Sequence, residues 1–394
     1  MARDYYCNNK FKYLKIDAVN KCTLSCCATK SVPIDFKRIE TTPGDIFNIP
    51  EDVSDREKML RNERTDRCEA NCWKAEDFGA PSQRDIYNGS VRSHTSVRTD
   101  PEVLELLLTR DCNCACSYCC REYSTRWSTE LDKFGNYEFT HYVDERFNRQ
   151  SRDYDVNNLQ KNIINQPEYK LLESEILSLI PKVKKIVITG GEPLLNKFFD
   201  DILELANKNK NIETIQLSTG LNTSQQKFDK LISRMKENPN IELRVSVENT
   251  GKYAEFNRYG ITWELTQSRI NQLIENGLDF SFRSTLSNLT ILNFSEFYKK
   301  YENQKILPYF AMEPTFMKAG ILDDDSKNLI VEDLDIFPID LQEKIKKSLN
   351  YQPTEEERLT LKEFLLQYQK RRNDLSLQFL PESFLHWLGI RDQI

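Results

Sequence analysis

From about residue 102 the chain alternates short apolar runs with amphipathic ones, and this alternation limits the fold more than any other feature. The runs VLELLLT at 103–109, KKIVIT at 184–189, TIQLST at 214–219, ELRVSV at 242–247, DFSFRS at 279–284 and ILPYFAM at 306–312 read as six strands. Stretches such as FFDDILELANK at 198–208 and WELTQSRINQLIEN at 263–276 lie between them, with apolar residues at helical spacing. Repeated strand–helix units of roughly 30 residues build a parallel sheet. Six units suit an α/β fold of the partial (βα)6 TIM-like barrel type better than a closed eightfold barrel, with chemistry at the carboxyl ends of the strands.

The barrel is expected over residues 100–315. Residues 1–90 read as a separate, irregular, cysteine-bearing domain with turn formers such as TTPGD at 41–45 and FGAPSQ at 78–83. A helical extension is expected over 325–394: a polar linker, then helices at about 339–349, 354–373 and 382–389 that cap the barrel. The polar, aromatic segment at about 128–156 reads as an insertion over the active-site face. With 55 basic and 61 acidic residues and a net charge of −6, the chain offers no electrostatic footprint for phosphate backbones or anionic membranes. Neither nucleic acid nor a membrane is an expected partner. No apolar run approaches the roughly 18 residues of a membrane span, and the start MARDYYCNNKFKYLKID lacks a signal-peptide core, so a cytoplasmic protein is expected.

All eleven cysteines lie between Cys7 and Cys120. Disulfide frameworks belong mainly to small secreted domains, so cysteine here is expected to serve local chemistry. Immediately after the first strand, TRDCNCACSYCCREYSTRW places Cys112, Cys116 and Cys119 at C-x3-C-x2-C spacing on a loop. Three thiolates can hold an iron–sulfur cubane and leave one iron open. A zinc site prefers four ligands and C-x2-C pairs, and buried thiols are common in cores. Spacing alone leaves these readings open, because Cys114 and Cys120 crowd the loop. The second strand ends in ITGGEPLLN, where Gly190 and Gly191 permit close backbone approach and Glu192 brings a carboxylate to the strand's end.

The sequence CNCACSYC followed by GGEP, each after a strand, resembles the radical SAM superfamily. The resemblance implies that Cys112, Cys116 and Cys119 hold a [4Fe–4S] cluster whose open iron binds S-adenosyl-L-methionine (SAM). It implies further that Gly190, Gly191, Glu192 and Pro193 receive the SAM amino group, with Tyr118 near the adenine. The loop LSTGLNT looks like the family's ribose and carboxylate contact, which places Ser218, Thr219 and Asn222 there, with Ser246 and Arg283 on the same rim. Reductive cleavage of SAM would then yield a radical that abstracts a hydrogen atom from a peptide or small-molecule substrate, after an electron arrives from a donor such as flavodoxin or ferredoxin. Cys114 and Cys120 read as packing residues.

The amino-terminal cysteines are Cys7, Cys22, Cys26, Cys27, Cys68 and Cys72. A four-cysteine site would staple this core-poor segment, around zinc or around a cluster. The order of a first cysteine, a CC pair, RCEANCWKAEDFGAPSQR, CNCACSYCCREYSTRW, GGEP and SVENTGKYAEFNRYGITWE resembles the twitch-type subgroup, which carries an auxiliary cluster domain before the barrel. That resemblance implies a second [4Fe–4S] cluster on Cys7, Cys26, Cys68 and Cys72, with Cys27 and Cys22 as alternates. Asn8 to Lys12 lack the family's usual Trp, and Cys22 sits near its Gly position, so Cys22 is a rival ligand.

Glu76, Ser82 and Arg84 match the family stretch but read as solvated surface. Glu248 and Arg258 are expected to face the barrel mouth, and Glu313 to sit on the last strand as a further substrate contact. The three histidines, His94, His141 and His386, are far apart in sequence and signal no histidine general base. Two other readings stand beside the enzyme: a zinc-stapled module that binds nucleic acid or protein, and a radical SAM protein that has lost turnover.

Overall fold

The computed structural model describes residues 4–26, 28–88, 94–141, 167–372 and 375–391. Residues 1–109, 155–217 and 238–241 form one compact unit, and residues 110–154, 218–237 and 242–394 form a second. The strands are β1 (Tyr13–Asp17), β2 (Cys22–Leu24), β3 (Val32–Pro33), β4 (Val103–Leu107), β5 (Ala115–Cys116), β6 (Lys185–Thr189), β7 (Thr214–Thr219), β8 (Ile241–Val245), β9 (Arg258–Tyr259), β10 (Phe280–Leu286) and β11 (Lys305–Phe310). The six strands expected from the sequence are β4, β6, β7, β8, β10 and β11, so the chain is an α/β protein built on parallel strands.

In the first unit the strand order is β7-β6-β4-β1-β2-β3. Strands β4, β6 and β7 run parallel, with Leu104 opposite Ile186 and Ile186 opposite Ile215. Leu106 and Leu107, Ile186, Val187 and Ile188, and Ile215, Gln216 and Leu217 are all buried, and consecutive burial of this kind marks strands covered on both faces. The cysteine-bearing segment joins this sheet: β1 pairs with β4 in parallel, Leu14 opposite Leu104 and Ile16 opposite Leu106. It then turns back antiparallel through β2 and β3.

Helix Phe198–Lys208 presents Phe198, Phe199, Ile202, Leu203 and Ala206 to the core at helical spacing. Full burial of Ile202 and Leu203 contributes about 1.5–3 kcal/mol each. The TTPGD turn is fixed by helix Pro167–Leu179, whose Glu175 carboxylate accepts the Gly44 and Ile46 N–H groups at 2.6 and 3.1 Å.

In the second unit β8, β10 and β11 are parallel, with Phe282 opposite both Val245 and Ile306. The short strands β5 and β9 pair antiparallel, Ala115 with Tyr259 and Cys116 with Arg258. Among the carboxyl-terminal helices, Glu355–Arg371 starts at a capping box in which Thr354 and Glu357 satisfy each other's backbone. It buries Leu361, Phe364, Leu365 and Tyr368. Phe364 stacks on Tyr137 at 5.3 Å, and Arg372 pairs with Glu130 at 2.6 Å, both side chains nearly inaccessible.

Two sequence expectations need correction here. The stretch after 325 is not a linker but part of helix Asp324–Glu332, started by the Asp323 carboxylate, which accepts the Ser326 N–H at 3.1 Å. Only Ser326 and Ile330 of that helix are buried, so its polar composition masked it. Glu313 lies beyond the end of β11 and is exposed. Of the expected insertion at 128–156, residues up to 141 include the end of helix Thr125–Phe134, and the rest lies outside the described residues. No helix among the described residues is long and apolar enough to cross a membrane.

Candidate metal and cofactor site

The three-cysteine loop is held by the residues that follow it. The Ser124 hydroxyl donates to the Cys114 carbonyl at 2.6 Å, Trp127 Nε1–H to the Cys116 carbonyl at 2.9 Å, and the Cys112 N–H to the Thr125 hydroxyl at 3.1 Å. Ser124 also caps helix Thr125–Phe134 by accepting the Trp127 N–H. The motif tail YSTRW thus fixes the loop's carbonyls while starting a helix. Tyr368, which the sequence reading missed, donates to the Ala115 and Phe256 carbonyls at 3.1 and 2.9 Å. Gly260 lies where the chain passes close to the loop: its φ is +117, and a Cβ there would stand 2.3 Å from the Asn113 carbonyl oxygen.

On that frame the thiols gather. Cys114 and Cys116 pack with Ala254 and Ile261, and Cys112, Tyr118 and Cys119 lie against them. Burial pushes the Cys116 thiol up to about 12, opposed by the Arg258 guanidinium. Cys119 is raised by its hydrogen bond with Cys120, then by burial, with the charges of Cys120, Cys116 and Cys112 adding to it. Cys114 is more than packing, since its sulfur accepts the Asn222 Nδ2–H at 3.3 Å. Asn222 also donates to the Gly260 carbonyl at 2.9 Å, so its side chain braces the cysteine loop.

Glu248 and Arg258 form a buried pair beside the same loop. Arg258 Nε and Nη2 donate to Glu248 Oε1 and Oε2 at 3.1 and 3.0 Å, and the Tyr118 hydroxyl donates to Oε1 at 2.7 Å. At the end of β7, the Thr219 hydroxyl accepts the Leu221 N–H at 2.9 Å, and Leu221 takes φ +59. The Ser246 N–H donates to the Thr219 carbonyl at 2.8 Å, which brings two of the expected rim residues together. The Ser218 hydroxyl is buried without a hydrogen-bond partner among the described residues. Arg283 lies over the Tyr309 ring at 4.9 Å.

In the first unit, the GGEP segment is pinned to the end of the β4 run. The Gly191 N–H donates to the Thr109 carbonyl at 3.0 Å. Gly190 takes φ +130, and a Cβ there would stand 2.5 Å from the same oxygen. Glu192 is buried and caps the turn Pro193–Leu195, accepting the Leu194 N–H at 3.3 Å.

Four amino-terminal cysteines also come together. Cys7, Cys68 and Cys72 share a buried cluster with Tyr6, Phe11, Met59 and Trp73. The Cys26 sulfur accepts the Asn9 Nδ2–H and the Ala28 N–H, both at 3.5 Å. Burial pushes the Cys7 thiol up to about 12, with Cys26 and Cys68 contributing and the Lys10 and Asn9 N–H groups opposing. Cys72 is raised by burial, lowered by the Arg84 N–H, and raised again by Cys68 and Cys26. N–H donors aimed at sulfur favour the thiolate that iron requires. Cys22 differs: its thiol is pushed up to about 11 by burial and by Asp17, and among the described residues no cysteine contributes to that shift. Cys27 lies outside the described residues.

Glu76, Ser82 and Arg84 are buried, contrary to the surface expectation. Trp73 lies under the Arg84 guanidinium at 5.1 Å, and the Asp4 and Tyr6 carbonyls satisfy it, which makes burial of the charge tolerable. Among the described residues no three Cys, His, Asp or Glu side chains already stand at metal-ligand spacing, so both cysteine groups are gatherings of thiols rather than closed coordination shells. Their chemistry nonetheless fits iron–sulfur ligation: soft sulfur donors only, three on one loop and four from three separate chain segments.

Residues 106–299 match the Radical SAM superfamily. No curated protein matches the chain with significance. Among solved structures, a histidine-tagged anSMEcpe with bound AdoMet is similar over 61% of this chain and 61% of its own, at 15% identity and a TM-score of 0.39. Streptococcus suis SuiB bound to S-adenosylmethionine is similar over 80% of this chain and 65% of its own, at 13% identity and a TM-score of 0.38. The chain spans 61% and 65% of the length of these solved chains. Similarity this low transfers neither substrate nor reaction. What the superfamily match establishes is local: residues 106–299 are a radical SAM superfamily domain.

Proposed function

We propose that the chain is a radical SAM enzyme of the twitch type, with Cys112, Cys116 and Cys119 holding the SAM-binding [4Fe–4S] cluster. The observation that carries this reading is the gathering of those three thiols on one braced loop near the start of the matched region. Bound together and reduced, cluster and SAM supply the one-electron chemistry that removes a hydrogen atom from a substrate. The chain's own residues bind and orient. Gly190, Gly191, Glu192 and Pro193 receive the SAM amino group, and Tyr118 stands near the adenine. Ser218, Thr219 and Asn222 contact the ribose and carboxylate, with Ser246 and Arg283 on the same rim, and the Ser218 hydroxyl, unpartnered among the described residues, suits a polar ligand.

Cys7, Cys26, Cys68 and Cys72 hold an auxiliary [4Fe–4S] cluster in a domain over residues 1–90, ahead of a barrel over 100–315 and a helical extension over 325–394. The substrate is a peptide or a small molecule, the reductant a flavodoxin or ferredoxin, and the setting the cytoplasm. Anaerobic protein given dithionite and SAM should release 5′-deoxyadenosine and methionine slowly without substrate, and the Cys112→Ala, Cys116→Ala, Cys119→Ala triple variant should not. Equal release from both would remove the loop from the reaction.

A further inference from the structure

We infer that Arg258 tunes the SAM-binding cluster by fixing a positive charge on the Cys116 sulfur, and that Glu248 sets how much of that charge the sulfur feels. The inference rests on the site reading above. Its basis is a register: in the β5–β9 ladder Cys116 stands opposite Arg258, so the backbone itself puts the guanidinium beside the thiol. Arg258 Nη1 lies 3.8 Å from Cys116 Sγ. The group cannot swing away, because Glu248 takes Nε and Nη2 together and Glu248 is itself held by the Tyr118 hydroxyl. Glu248 is 1% exposed and Arg258 8%.

The sign of the effect follows from charge. Reducing the cluster adds one negative charge, which a nearby cation stabilises, and N–H donors to a ligand sulfur act in the same sense. Arginine stays protonated under all relevant conditions, so its charge is a constant of the site. Burial leaves that charge poorly screened by salt. The Glu248 carboxylate opposes it, so the two residues are a matched lever rather than an isolated ion pair. A purely structural pair would brace β9 against the cysteine loop and leave the cluster's potential alone. Arg258 is a positioning residue in this account, acting on the cluster through Cys116.

The test is an EPR-monitored determination of midpoint potential on anaerobically reconstituted full-length wild type, Arg258→Gln, Arg258→Lys and Glu248→Gln. The signal followed is the one that changes on adding SAM, which separates it from an auxiliary cluster. At a fixed potential, Arg258→Gln should lower the reduced-to-oxidised ratio by about tenfold, equivalent to about 59 mV for a one-electron couple. Glu248→Gln should raise that ratio, and Arg258→Lys should fall between wild type and Arg258→Gln. Opposite signs cannot come from a general loosening of the loop, which would move both variants the same way. If Arg258→Gln does not retain a cluster, the upward shift in Glu248→Gln still decides the matter. Unchanged midpoints, or shifts of one sign in both variants, would overturn the role of Arg258. A wild type without any SAM-responsive cluster would overturn the site reading and this inference with it.

Discussion

The Arg84 guanidinium closes a two-bond ion pair on the Glu76 carboxylate, Nε to Oε1 at 2.9 Å and Nη2 to Oε2 at 2.6 Å, while its third nitrogen takes the Asp4 and Tyr6 carbonyls at 2.8 and 3.0 Å. Asp4 and Tyr6 lie just before Cys7 in the chain, and Glu76 follows Cys72 by one helical turn. The pair therefore ties together two chain segments that each carry a candidate ligand.

Arg84→Ala should strip the buried Glu76 carboxylate of its ion-pair partner, leaving it the Ser82 hydroxyl that donates to Oε1 at 2.7 Å, at a cost of about 3–5 kcal/mol. Denaturant unfolding of the iron-loaded protein under anaerobic conditions, variant against wild type, measures it. A loss within about 1 kcal/mol, the scale of an exposed pair, would mean the clamp does not persist in solution.

Gly190 and Gly79 separate two costs of adding a methyl group. Both have positive φ, but around Gly79 there is open space, whereas at Gly190 a Cβ would stand 2.5 Å from the Thr109 carbonyl. Gly79→Ala should cost only the backbone strain of about 1–3 kcal/mol. Gly190→Ala should cost more and should weaken SAM binding at least tenfold, about 1.4 kcal/mol, by calorimetry. Equal effects in the two variants would contradict the close approach.

Tyr368→Phe removes one hydroxyl that serves two buried carbonyls, those of Ala115 and Phe256. The expected loss is roughly 1–3 kcal/mol, the cost of leaving buried acceptors unsatisfied, seen as a lower melting temperature. Iron retention by the cysteine loop during gel filtration should fall as well. Wild-type retention would show that the helix Glu355–Arg371 does not brace the loop.

Much of this was legible in the sequence because its signals were local. Strand and helix periodicity found β4, β6, β7, β8, β10, β11 and the helix Phe198–Lys208, while spacing plus strand-end context marked Cys112, Cys116, Cys119 and Glu192 as the candidates proposed above. What escaped depended on partners distant in the chain. Arg84 and Glu76 look like surface charges until Trp73 and two carbonyls close over them. Tyr368 lies 253 positions from the carbonyl it holds, and no window of sequence reports that. The parallel pairing of β1 with β4 was hidden likewise, because YLKID is too short and too charged to stand out.

The central claim is that the chain carries two [4Fe–4S] clusters on two separate sets of cysteines, and iron and sulfide counting across a variant series tests it most directly. Wild type purified anaerobically should hold about eight irons and eight sulfides per chain, four per cubane. The Cys112, Cys116, Cys119 triple alanine variant should keep about half. On that background Cys68→Ala or Cys72→Ala should remove much of the remainder, because each takes away one of the four thiolates proposed to hold that cluster. Cys22→Ala should change nothing, in keeping with its place opposite Asp17 in the β1–β2 ladder. Stoichiometric zinc with little iron, or complete loss of iron in the triple variant, would contradict the account.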